Sequence, residues 1–233
     1  MCWLSPRALR LFQYRGLLEP CHIAPARLDV LGHPGFRGAG ETWLIGRSPL
    51  YSNGPVIRGE KIGLRARHES DVPVLHSELY DDVPTRSRAD SRPWRPIPPG
   101  SDDSPFAVTG PSDQAACFSV VELESQELVG EALLWRIDTH NRTAHIGIAL
   151  RPAFRGRGFG VDVLHTLCEY GFAVSGLQRL QIETLTDNTP MLAAATRVGF
   201  TREGTLRRSA WVYGAYADEA ILGLLVNDWT PRR

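Results

Sequence analysis

Six consecutive residues, Arg155-Gly156-Arg157-Gly158-Phe159-Gly160, have the types and spacing to hold a pyrophosphate. They follow a strand-like run, Thr143–Leu150, through Arg151–Phe154, and lead directly into a helical pattern. The first N–H groups of a helix have no partner within it, converge at its amino end and, with the helix dipole, favour an anion. Gly156, Gly158 and Gly160 remove side chains that would hold phosphate oxygens away, and Arg155 and Arg157 add positive charge. The competing interpretation is a glycine-rich turn that only joins strand to helix, and three glycines alone do not separate the two.

The surrounding elements narrow the choice. Ile62 and Leu64 share a face of a short strand, and Val72, Val74, Leu75 and Leu79 give a helix near Asp71–Tyr80. Residues 81–115 hold Pro84, Pro93, Pro96, Pro98, Pro99, Pro105 and Pro111 and read as loop. A loop of that length is functional or merely poorly ordered, and Trp94, between Arg92 and Arg95, is placed to line a substrate mouth. Three strand-like runs follow, Cys117–Leu123, Leu128–Ile137 and Thr143–Leu150, with Ser125-Gln126 and Asp138–Arg142 as turns, which makes an antiparallel meander. Next come a helix over Gly158–Val174, a strand at Leu180–Leu185, a helix over Thr189–Val198 stopped by Gly199, and closing strands Thr201–Leu206 and Tyr216–Val226. This order predicts a mixed α+β fold. A dinucleotide site needs its glycines after an early strand of a βαβ unit, with an acidic residue about 20 positions on. The preceding antiparallel strands exclude it.

Composition sets the outer limits. The 233 residues are 42% hydrophobic and 22% charged with zero formal net charge, as in an ordinary soluble globular chain. Charge gives no reason to expect a nucleic-acid or anionic-membrane partner, and no apolar run approaches the roughly 18 residues of a membrane span. Residues 1–20 lack the apolar stretch of a secretory signal, so a cytoplasmic location is expected. Lys61 is the only lysine; such arginine dominance reflects a GC-rich coding genome and suggests a bacterial source. Cys2, Cys21, Cys117 and Cys168 form no CxxC, so neither zinc nor a disulfide framework is expected, and Cys117 and Cys168 read as buried, inert thiols. Residues 1–55 are broken by Pro20, Pro25, Pro34, Pro55 and several glycines and read as an irregular extension, leaving 56–233 as the folded domain.

The glycine segment resembles the R/Q-x-x-G-x-G/A signature of the GNAT superfamily of N-acyltransferases, through Arg155, Gly158 and Gly160. The resemblance runs over roughly residues 57–230. It takes in Asn141-Arg142-Thr143-Ala144, Asp187-Asn188-Thr189, Val198-Gly199-Phe200, Arg202-Glu203-Gly204 and the tail Trp211–Asp218. Within the superfamily this set is similar to the branch of the Rim-type ribosomal-protein N-terminal acetyltransferases. It implies a strongly twisted, mostly antiparallel sheet flanked by helices, with a splayed central strand pair. It further implies acetyl-CoA as acyl-donor cosubstrate, with no metal. Ile148, Ala149 and Leu150 would offer backbone groups to the pantetheine arm, Gly156 through Val161 would cradle the pyrophosphate, and Asn188 would contact the cofactor. Asn188 also suits a helix N-cap.

For proton transfer the resemblance points to two residues. Many relatives carry a glutamate on the signature strand where this chain has His145, whose imidazole can accept a proton near neutrality. Glu183, five residues before Asn188, matches the base of some N-terminal acetyltransferases. Each also has a plain reading, as a packed strand histidine and a solvent-facing strand carboxylate. The serine, glutamate and tyrosine that relatives use are here Met191, Ala210 and Ala195, which leaves Tyr213 and Tyr216 as nearby phenols. The expected activity is acetyl transfer to a primary amine, on a protein N-terminus, an amino acid or a small amine. Alternatives are a non-catalytic acyl-CoA-binding module and a succinyl-type acyltransferase; a homodimer is also allowed for.

Overall fold

A computed structural model describes residues 55–90 and 92–232. The extension expected over residues 1–55 therefore lies, but for Pro55, outside the described residues. Among the described residues eight strands form one sheet: β1 (Ile57–Arg58), β2 (Ile62–Ala66), β3 (Ala115–Glu122), β4 (Leu128–Asp138), β5 (Thr143–Leu150), β6 (Arg179–Leu185), β7 (Thr201–Val212) and β8 (Ala215–Leu225). The order across the sheet is β1-β2-β3-β4-β5-β6-β8-β7. All neighbours are antiparallel except β5 and β6. The mixed α+β architecture read from the element order is the one observed, and the meander β3-β4-β5 occurs as expected.

Helices cover both faces. On one side lie α3 (Phe159–Glu169) and α4 (Thr189–Val198). Val163, Leu164, Leu167 and Cys168 of α3 meet Leu134, Ala144, Ile146, Leu180, Ile182, Leu222 and Leu224 of the sheet in the main core. Removing a leucine side chain such as Leu164 or Leu167 from water contributes about 2 kcal/mol each. A π-helical turn, Tyr170–Val174, continues α3. Asn188 caps α4, and Gly199 ends it in the left-handed region at φ 109°. On the opposite face α1 (Val72–Leu79) supplies Val72, Leu75 and Leu79 to a second apolar cluster with Tyr80 and Phe106, against which Trp94, Leu128 and Ala149 pack.

Some expectations need correcting. The loop over 81–115 contains a helix, α2 (Val83–Ala89). It has no apolar stripe to betray it; its only buried residue is Arg86, laid over the Tyr80 and Phe106 rings, and its start is fixed by Asp82 accepting the Thr85 N–H at 3.2 Å. Strand β7 runs on past Leu206 to Val212, because a register shift between Leu206 and Ala210, with Arg208 at φ 52°, hides the continuation. Cys168 is buried as expected, but Cys117 is exposed. Among the described residues no helix is long and apolar enough to cross a membrane.

Candidate active site

The parallel pair opens almost at once. Only Thr143, Ala144 and His145 of β5 pair with β6, opposite Arg179, Leu180 and Gln181. Beyond them Ile146–Leu150 and Ile182–Leu185 diverge, so backbone groups of β5 line a groove. Its outer side stays fixed, since β4 pairs with β5 as far as Gly130↔Leu150. That approach demands glycine: a Cβ on Gly130 would stand 2.2 Å from the Ala149 carbonyl oxygen. A bulge between Trp135 and Asp138 bends β4 beside the point where the groove begins.

The glycine segment stands at the open end. A short 3-10 turn, Pro152–Phe154, carries the chain from β5 to Gly156 at φ 76° and Gly158 at φ 84°. Gly158 is the N-cap of α3 and offers no side chain to its first N–H groups. A side chain there would cost about 1–2 kcal/mol in backbone strain alone. A Cβ at Gly156 would meet nothing within 4 Å, and one at Gly158 only the Lys61 Nζ at 3.7 Å. The residues therefore fit an anion approached through backbone groups: an uncapped helix amino end, clear space and one ammonium.

The arginines behave differently from the expectation. Arg155 donates from Nε to the Leu150 carbonyl at 2.9 Å, pinning the turn to the strand. Arg157 pairs with Glu122 at 2.7 Å and lies over the Phe159 ring, 4.7 Å from its centre. Lys61, by contrast, has no ion pair or hydrogen bond from its ammonium among the described residues. It is held there by Asp162 of α3, whose carboxylate accepts the N–H groups of Glu60, Lys61 and Ile62 at 3.1, 2.7 and 3.0 Å and pairs with Arg232. Burial alone would raise the Asp162 pKa; those N–H groups and Arg232 instead hold it below the ordinary carboxylate range.

At the apex of the groove the two proton-transfer candidates meet. His145 and Glu183 project from the sheet face opposite the main core, with His145 Nδ1 3.6 Å from Glu183 Oε1. That is an electrostatic contact and too long for a hydrogen bond. Gln181 donates to Glu183 at 2.7 Å and holds it in place. The His145 ring lies against Trp135, with centroids 4.8 Å apart. Burial pushes its pKa below the ordinary histidine value; Glu183 pulls upward, and Arg136 and Arg179 push down again. Burial thus favours the neutral imidazole, the form a base requires.

Helix α2 spans the mouth of the groove. Asp82, its N-cap, is held below the ordinary carboxylate range by the Thr85 hydroxyl and N–H and, more weakly, by Arg155 of the cradle. Near the other end of α2, Arg88 pairs with Asp187 of the β6–α4 turn at 2.6 Å. Beyond α2 lies a cavity of about 450 Å³ whose lining includes Trp94, Trp211 and Tyr213, so the tryptophan expected at a substrate mouth does face a cavity.

A family model described as "Acetyltransferase (GNAT) domain" matches residues 61–201. The chain belongs to this GNAT acetyltransferase family. An uncharacterized N-acetyltransferase, p20 of Bacillus licheniformis, is 30% identical over 116 residues, 50% of this chain and 65% of that protein. This chain therefore covers just under two thirds of that GNAT relative. The ribosomal-protein-serine acetyltransferase of Escherichia coli is 31% identical over 105 residues, 45% of this chain and 58% of its own length, which agrees with the Rim-type resemblance. The crystal structure of spermidine N-acetyltransferase from Vibrio cholerae with CoA and spermine shares the fold at a TM-score of 0.61 and 20% identity, covering 72% of this chain and 97% of that one.

The remaining GNAT positions fall as follows. Ile148 and Leu150 pack toward the main core and Ala149 toward the second cluster, so only their backbone groups are left for the groove. Val161 packs against the core from the first turn of α3. Asn188 stands on the other lip; its Oδ1 accepts the Met191 N–H at 3.4 Å and its Nδ2 donates to Thr184 Oγ1 at 2.9 Å, which bears out the cap. Ala195 and Ala210 are buried. Tyr213 and Tyr216 are exposed on the β7–β8 hairpin, away from the apex pair in sequence and without a hydrogen bond from either hydroxyl among the described residues. Sequence reasoning missed Lys61, Gln181 and Trp211. The one available signal for Lys61 was its singularity; nothing in the chain marks its distance to Gly158.

Proposed function

We propose that the protein transfers the acetyl group of acetyl-CoA to a primary amine by direct attack. The reading rests on one juxtaposition: an uncapped, glycine-lined helix amino end at the open end of a strand splay whose apex holds His145 and Glu183. The pyrophosphate would lie on Gly156 through Val161 with Lys61 as its cation. The pantetheine arm would extend along the backbone of Ile148, Ala149 and Leu150, with Asn188 on the far lip. A cytoplasmic location accompanies this reading.

Chemically, the amine nitrogen attacks the thioester carbonyl, the C–N bond forms, the C–S bond breaks, and the thiolate leaves. The amine must first be neutral; an α-amine with a pKa near 8 is about a tenth neutral at pH 7, a lysine-type amine with a pKa near 10 far less. His145 accepts the proton at Nε2 while Nδ1–H is directed at Glu183, which stabilises the imidazolium that results. Backbone N–H groups of the splayed strand receive the developing oxyanion. Free thiol released from acetyl-CoA by a panel of amines tests the activity. Binding of acetyl-CoA without thiol release from any amine would replace catalysis by a sensing module.

A further inference from the structure

We infer that the cavity between α2 and the β7–β8 hairpin receives the far end of the acceptor, and that this end is a planar aromatic ring with a negative charge beside it. The inference rests on the acetyl-transfer reading above and names its substrate class.

Four observations carry its aromatic part. The cavity, at about 450 Å³, has the volume of a small-molecule site and is walled by Trp94, Pro93, Trp211, Tyr213 and Gly214. Trp94 is a fixed wall: its Nε1–H donates to the Tyr80 carbonyl at 3.0 Å and its ring leans on Tyr80 at 6.0 Å. Trp211 and Tyr213 are 60% and 69% exposed large side chains, and Tyr216 meets the Trp211 ring in a T-shaped contact, centroids 4.9 Å apart, that leaves most of it open. Tyr213 occupies the first place of the two-residue hairpin turn at φ 40°, followed by Gly214 at φ 98°. Asparagine, aspartate or glycine adopt that conformation most easily. A bulky aromatic kept in an unfavourable backbone state at the edge of a cavity is the pattern of a binding residue.

Charge then selects among aromatic-binding ligands. Aromatic faces also attract ammonium groups, so a polyamine is the natural rival. Among the described residues no carboxylate lines the cavity, whereas Arg92 does. Arg92 is held by Asp90 through Nε at 3.0 Å and Nη2 at 2.7 Å, but Asp90 also pairs with Arg86, so one carboxylate is shared by two guanidiniums. Glu131, a second carboxylate that acts on Arg92, is taken by Arg67 at 2.8 Å. The wall is therefore left positive, which repels a polycation and suits a carboxylate or other anion. The cavity also faces the reacting side of the sheet: Trp94 packs in the same cluster as Ala149, which shares with His145 one face of β5.

Glycyl-tryptophan, glycyl-tryptophanamide, glycyl-alanine and spermidine, each offered with acetyl-CoA to the full chain, test the assignment by thiol release. The expected order places glycyl-tryptophan first, about tenfold above glycyl-alanine in kcat/KM. That ratio should fall about fivefold or more in Trp211→Ala, whose side chain is on the surface, and the preference for the acid over the amide should shrink in Arg92→Gln. Equal or faster turnover of spermidine or glycyl-alanine overturns the aromatic-anion assignment and leaves acetyl transfer standing. Turnover of no amine means that the reading beneath it fails. Calorimetry with N-acetylglycyl-tryptophan then decides the cavity alone: binding weakened in Trp211→Ala supports it, and no detectable binding overturns it.

Discussion

The two halves of the groove are built from different materials. The proposed cofactor side is a contiguous stretch, from β5 through Gly156 and Gly158 into α3, that presents backbone N–H groups and open space. The proposed acceptor side is assembled from α2, the residues after it and the tip of the β7–β8 hairpin, and presents side chains. A ligand common to a whole family is read by main chain, which tolerates substitution around it. A ligand particular to one protein is read by side chains that can be exchanged without disturbing the sheet.

Four measurements sharpen or break this contrast. The largest effect is expected at the apex, where the halves meet. His145→Gln should lower kcat/KM by about 100-fold or more. Acetyl-CoA affinity should stay nearly unchanged, because the proposed cofactor contacts are backbone groups. In the unmodified protein kcat/KM should fall on acidification with an apparent pKa below about 6.5, the histidine reference. The sign follows from burial, which favours the neutral ring and so extends activity to lower pH. Glu183→Gln removes the opposing pull and should move that limb lower still. A limb above pH 7, or full activity in His145→Gln, would transfer the role to Glu183 or to solvent.

Next in size is the cradle. Gly158→Glu adds a side chain and a negative charge at φ 84°, and acetyl-CoA affinity by calorimetry should fall about tenfold or more, roughly 1.4 kcal/mol. Unchanged affinity in a folded variant would show that the glycines serve only the turn. Lys61→Met should weaken binding by a few-fold, about 0.5–1 kcal/mol, with an effect that fades as salt is added. An equal loss at all salt concentrations would deny Lys61 a direct charge contact.

A third measurement concerns stability. Asp162→Asn weakens the acceptor of three backbone N–H groups and should lower unfolding free energy by about 2 kcal/mol in a denaturant melt. Asp162 has a native pKa below its unfolded value near 3.9. Its contribution is therefore present above that value and lost as pH falls through the native pKa. Last and smallest, a chain beginning at Pro55 should keep the acetyl-CoA affinity of the full chain; loss of soluble protein would assign the first residues to the fold.

The same division explains what the sequence made legible. The bounds of α4 and its caps follow from Asn188, Pro190 and Gly199, which act locally. The turn into α3 was legible because glycine is the residue that takes positive φ at no steric cost, as Gly156 and Gly158 do. His145 and Glu183 were found as separate candidates, but their 3.6 Å approach depends on β5–β6 pairing that no local pattern encodes. Helix α2 escaped because its one buried residue is an arginine stacked on rings from elsewhere. Lys61 and Trp211 escaped for the same reason: each acquires its neighbour only when distant segments fold together.

The splay itself has a further effect on the chain's behaviour in solution. Where β5 leaves β6, the sheet contains an edge in its interior, with main-chain groups on the β6 side of Ile146–Leu150 that no strand among the described residues satisfies. Exposed edges of this kind accept other extended chains. On the proposed mode the pantetheine arm takes the place of the missing strand, so cofactor occupancy doubles as edge protection. Amide hydrogen exchange along Ile146–Leu150 should consequently slow on addition of acetyl-CoA more than anywhere else in the sheet. Protein stored without it should self-associate through this seam sooner than protein stored with it.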